Sequence, residues 1–125
     1  MKMRNVFLLN TAVSLLFALG LLLVPAVLLD LFGLPNNAGT KLLGQLIGVE
    51  LLVGGLVTYY AKDSPDFNTR QGINLANFVA CVVGFIVSLG GTLSGAMNSM
   101  GWVVVAFYLL LAAGFGYFQF LGPSE

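Results

Sequence analysis

Four long apolar stretches, parted by short polar interruptions, set the rhythm of this chain. They cover 6–29, 42–60, 72–91 and 102–121. A helix needs roughly 20 residues to cross about 30 Å of hydrocarbon at 1.5 Å per residue, and each stretch is near that length. The pattern predicts an all-α fold: an integral membrane bundle of four transmembrane helices in one domain, 1–125. Pro25 interrupts the first stretch, and Leu28, Leu29, Leu31, Phe32 and Leu34 extend its apolar character along the interface. Met1-Lys2-Met3-Arg4 ahead of an apolar run also opens secretory signals. A signal core spans only about 7–15 residues, so the longer run here reads as a membrane span.

Spacing at about 100° per residue divides each span into two arcs. In the third, Gly72, Ala76, Ala80, Gly84 and Ser88 recur every fourth residue, with Asn77 on the same side. Leu75, Phe78, Val79, Val82, Phe85 and Ile86 lie opposite. Small residues let helix backbones approach, so the ridge is expected to pack and the bulky arc to meet lipid. The second span has a seam in Gly44, Gly48 and Gly55. Asn10, Thr11, Ser14 and Ala18 cluster in the first span, and Tyr108, Ala112, Gly116 and Gln119 in the fourth.

Composition agrees with lipid as the solvent. Hydrophobic residues make up 58% of the 125 and charged residues 8%, against about a quarter in soluble domains. Five basic and five acidic residues balance, which gives no attraction to nucleic acid. No run of basic residues is long enough for strong recognition of anionic lipid. Histidine is absent, and Cys81 is the single cysteine, so metal, disulfide and general-base chemistry lack their usual residues. No catalytic set is visible, and a non-enzymatic protein is expected.

Basic residues also set an expected orientation. Lys2, Arg4, Lys62 and Arg70 share one side and Lys41 stands alone on the other, which places the N- and C-termini in the cytoplasm. Tyr59, Tyr60, Trp102 and Tyr117 fall at span ends, where aromatic residues favour the interface.

Glu50 is the one charge-capable residue deep in a span. A carboxylate there costs about +3 kcal/mol on insertion scales, which ten aliphatic residues of the same span roughly offset. Two readings follow. Glu50 binds a proton, cation or polar ligand inside the bundle, or it is glue, hydrogen-bonded to Asn10, Ser14, Asn77 or Tyr108. Gln45 and Asn77 read as helix-to-helix hydrogen-bonders.

Leu19-Gly20 through Pro25, then Phe32-Gly33-Leu34-Pro35, Lys41-Leu42-Leu43-Gly44 and Gly48 resemble the first half of DoxX-like proteins, small four-helix bacterial membrane proteins. The resemblance implies a four-helix bundle, sometimes linked to quinone or thiol redox complexes. Small multidrug transporters share the size and a single membrane glutamate, but theirs stands in the first span and Glu50 in the second. The expected function is an accessory or structural subunit of a larger membrane complex, surrounded by lipids and other subunits. Its Phe- and Leu-rich arcs would suit lipid, quinone or carotenoid-like contacts. The alternative is a small proton- or cation-coupled transporter or channel that uses Glu50, as a homo-oligomer.

Overall fold

Proline has no amide hydrogen and restricts the residue before it, so a helix rarely runs through one. In the computed structural model, which describes residues 2–122, α1 (Met3–Leu23) ends at this break. Pro25 opens the short α2 (Pro25–Leu31) at its first turn, where no hydrogen-bond donor is needed. The first apolar stretch is therefore a span to Leu23 and then a separate seven-residue helix. Asn37 starts α3 (Ala38–Ala61) by accepting from the Thr40 amide at 2.9 Å. Asp66 starts α4 (Phe67–Leu93) in the same way, from the Asn68 amide at 3.2 Å. The last span is α5 (Gly101–Gly116), continued by a wider π-turn, Tyr117–Leu121, in which the Gly122 amide reaches back five residues to the Tyr117 carbonyl.

The fold is an all-α bundle in which α1, α3, α4 and α5 with its π-turn are each long and apolar enough to cross a membrane. It is an integral membrane bundle built from two hairpin-like pairs. α1 packs closely along α3 and α4 along α5, whereas α3 and α4 barely touch. Both described chain ends lie at one end of the bundle, here termed the terminal end.

Most of the core sits toward that end. Met3, Val6 and Phe7 of α1 meet Leu111 and Phe115 of α5 and Phe118 of the π-turn, with the Phe7 and Phe115 rings 6.0 Å apart. Arg4 Nε donates to Asp63 Oδ1 at 2.8 Å, and Lys62 Nζ lies 3.2 Å from Asp63 Oδ2. These bonds, first Arg4 and then Lys62, hold the Asp63 carboxyl below the usual carboxylate range. The clamp is therefore complete at neutral pH and is lost only as pH falls through that lowered value.

At the far end, Asn98 ties the two loops together. Its amide donates to the Phe32 carbonyl at 3.0 Å and its side chain to the Leu31 carbonyl at 2.9 Å. Gly33 turns the chain beside it with φ +70°, and a Cβ there would stand 3.1 Å from Asn98.

The helix faces differ in part from expectation. Gly44, Gly48 and Gly55 are buried against α1. On α4, Gly72, Ala76 and Ala80 are exposed, and the buried line is instead Asn74, Cys81 and Ser88. Gly84 and Ser88 are common to both faces, so the packed face is turned by about 100° from the small-residue ridge. Part of the cause lies on α5, where Gly116 leaves room for a large residue of α4. Phe78 of α4 packs where Gly116 has no side chain, since a Cβ there would stand 2.8 Å from its ring. Phe78 and Val82, expected in lipid, pack on the core.

Candidate functional site

A bundle of two pairs with little contact between α3 and α4 leaves room between them. That room is a cavity of about 390 Å3. Glu50 and Gly54 of α3 line it, with Asn10 and Ser14 of α1, Asn77 of α4 and Tyr108 of α5. Leu28 of α2, Phe32, Leu34 and Met97 close it at the far end. Its remaining wall is largely aliphatic and aromatic. Phe17 stands edge-on to Phe107 at 6.0 Å, which joins α1 to α5 beside the cavity.

Toward the terminal end the space closes on a polar floor. Asn10 Nδ2 donates to Asn77 Oδ1 at 3.4 Å and to Thr58 Oγ1 at 3.3 Å. The Thr11 and Thr58 hydroxyls are 2.9 Å apart, and Thr58 also reaches the Gly54 and Gly55 carbonyls one turn earlier. Thr58 is fully buried. It thus holds α1 against α3, while Asn10 extends the tie to α4. Replacing Thr58 with Val keeps the shape and removes these bonds. Buried polar contacts between membrane helices are worth roughly 0.6–1.7 kcal/mol, so Thr58→Val should lower thermal stability in detergent by that order. A variant as stable as the parent would show that the floor holds nothing together.

The five polar residues named from the sequence, Asn10, Ser14, Glu50, Asn77 and Tyr108, therefore surround one space. Among the described residues, however, Glu50 hydrogen-bonds to none of the other four. Asn10 and Asn77 bond to each other, and Asn77 Nδ2 returns to the Ile73 carbonyl of its own helix. Glu50 stays exposed on the cavity side of α3, so the glue in this bundle is made by other residues. Tyr108 owes its position to Gly84, because any side chain at 84 would occupy the ring's place. Ala80 and Cys81 line the cavity rather than a helix crossing with α3. Gln45 Nε2 donates to the Leu22 carbonyl at 3.3 Å, which joins α3 to α1.

Asn74 is a second buried polar group that polarity alone did not single out. Its side-chain nitrogen donates to the Phe115 carbonyl and to Gln119 Oε1, both at 2.9 Å. It reaches α5 where the helical ladder widens into the π-turn, which makes it a bracket for that irregularity. No group of three or more His, Cys, Asp or Glu side chains that could hold a metal ion occurs among the described residues. Comparison with models of known protein families, with curated proteins and with solved structures finds no match.

Proposed function

We propose that the protein is a non-enzymatic membrane subunit whose inter-helical cavity holds one lipophilic molecule by a cationic or hydrogen-donating group set against Glu50. One observation carries this reading. Glu50 stands near the middle of α3 and faces an apolar space, and no described side chain hydrogen-bonds to its carboxyl. An acid at that depth costs about +3 kcal/mol, and a partner that answers it recovers part of that cost. The cavity volume of about 390 Å3 lies within the usual range for small-molecule sites, as does its apolar wall with a few polar groups. The sparse contact of α3 with α4 supplies a lateral path from the bilayer.

Exposed Leu, Val and Phe cover the outer faces, which fits a subunit surrounded by lipid or by other membrane helices. The DoxX-like resemblance of the first half of the chain agrees with a subunit role. The excess of basic residues at the terminal end supports an orientation with that end in the cytoplasm.

The test compares two ligands that differ only in their head. A long-chain primary amine and the carboxylic acid of the same chain are offered to the protein in lipid nanodiscs, and retained ligand is measured. The amine should bind saturably and the acid should not. Equal retention of both would remove Glu50 from ligand recognition. The same unanswered carboxyl supports a second reading, proton-coupled transport. In proteoliposomes, amine movement driven by a pH gradient would favour the transporter, and binding without movement the subunit.

A further inference from the structure

The terminal end carries a second, separate cavity, of about 280 Å3. Two parts of the chain that are distant in sequence build its wall: Lys2 and Arg4 at the start of α1, and the turn from Lys62 to Pro65 after α3 with Arg70 in the first turn of α4. No run of basic residues along the chain announces this cluster. Folding makes it by returning α3 and α4 to the end where α1 begins.

Among the described residues Asp63 is the one acidic residue in the wall, and it is already engaged by Arg4 and Lys62. Asp66, nearby, is occupied in capping α4 through Asn68 and Thr69. Lys62 is held in place, with Nζ donating to the Tyr59 carbonyl at 3.1 Å and lying 3.8 Å from the centre of the Tyr59 ring. Arg70 donates through Nη1 to the Ser64 carbonyl, while its Nε is buried with no acceptor among the described residues. A buried guanidinium nitrogen is usually paired, and a guanidinium suits the oxygens of a phosphate. Among the described residues positive charge is in excess, and Tyr59 and Tyr60 set the cavity at the level where membrane headgroups lie.

We infer that this cavity binds the phosphate of an anionic phospholipid headgroup, with Arg70 and Lys2 as its main contacts. A phosphate oxygen pairs with the Arg70 guanidinium, and the ammonium of Lys2 neutralises a second oxygen. Arg4 and Lys62 stay on Asp63 and line the rim. The acyl chains run along the outer apolar faces, so this lipid is distinct from any occupant of the Glu50 cavity.

The experiment uses the full chain in mild neutral detergent. Phosphatidylglycerol and phosphatidylcholine of identical chains are titrated in, and lipid retained per protein is read by native mass spectrometry. A preference for phosphatidylglycerol of at least about fivefold is expected, the effect of roughly one cation near a lipid surface. Arg70→Gln and Lys2→Gln should each cut that preference several-fold, and millimolar inorganic phosphate should not displace the lipid. Should Arg70→Gln fail to fold, the exposed Lys2 carries the test alone. Equal retention of the two lipids would overturn the inference. So would an unchanged preference in the variants, or displacement by inorganic phosphate, which would mark a site for the free anion.

Discussion

Glu50→Gln should leave the bundle as stable as the parent and weaken binding of a lipophilic amine by roughly 10–100-fold. The first half of this expectation comes from what Glu50 does not touch. None of the described side chains hydrogen-bonds to its carboxyl, so an amide of the same size leaves no protein partner behind. The second half follows from what a ligand loses. Hydrogen bonds to a charged group contribute about 1.5–3 kcal/mol, and each 1.4 kcal/mol is tenfold in affinity. Asn77 is engaged at both ends, its Oδ1 by Asn10 and its Nδ2 by the Ile73 carbonyl, and a neutral amide such as Asn10 offers no charge in place of the carboxylate. Glu50→Leu should remove the same binding and also make the helix easier to insert, since an apolar side chain replaces an acid at mid-membrane. Amine affinity and melting temperature, measured on the same preparations, separate the outcomes. Full amine affinity in the Gln variant would sink the Glu50 site. Loss of folding there would return Glu50 to a structural role.

The parts of this structure that were legible in the sequence are those that depend on one helix at a time. Hydropathy averaged over some 20 residues does not depend on neighbours, so four membrane-length helices could be read directly. Pro25 announced a break, although only the structure separates α2 from α1. The glycines of α3 could be assigned a packing role because α1 offers Leu15, Leu21 and Leu22 to fill the space they leave. The face of α4 could not be read from its own ridge. Close approach needs one small partner per contact, and here Gly116 of α5 is small while Phe78 of α4 is large. Which helix supplies the gap is a property of the pair.

The candidate site divides along the same line. Asn10, Ser14, Glu50, Asn77 and Tyr108 stood out as polar groups inside apolar stretches, and all border one cavity. Their bonding could not be read, because Asn10 chooses among several acceptors by distance alone. Thr58 and Asn74, which carry the buried ties, gave weak signals: a threonine is common in membrane helices, and Asn74 falls close to a span end. The basic cavity at the terminal end was legible only in part, since the sequence placed Lys2, Arg4, Lys62 and Arg70 on one side but not around one space. Their convergence depends on how the start of α1 packs beside the turn between α3 and α4, which spacing along the chain does not report.

Gly48→Ala and Gly54→Ala, one methyl each and less than two turns apart, are expected to act in opposite directions. A Cβ at Gly48 would stand 3.2 Å from the Ala18 carbonyl oxygen, 3.2 Å from Leu21 Cβ and 3.1 Å from Leu22 Cγ. Two of those neighbours are fixed to the α1 backbone and cannot swing aside, so α1 and α3 must move apart. That crossing belongs to the most extensive helix contact in the bundle, and overpacking of this kind costs about 1–3 kcal/mol. Thr58 and Gln45 would feel the separation as well, because their bonds to α1 are 2.9 and 3.3 Å long with the helices in contact. At Gly54 a Cβ meets nothing within 4 Å. The methyl enters the open cavity, while the helix gains up to about 1 kcal/mol of intrinsic propensity when alanine replaces glycine. Gly48→Ala should therefore melt well below the parent in detergent and Gly54→Ala at or above it. Gly48→Leu should fail to assemble, because its Cβ already presses on the α1 backbone and the branched side chain adds to that crowding. Equal shifts for the two alanine variants would mean that α1 and α3 do not pack through this glycine. A stable Gly48→Leu would mean the same, and the hairpin that forms one wall of the Glu50 cavity would have to be redrawn.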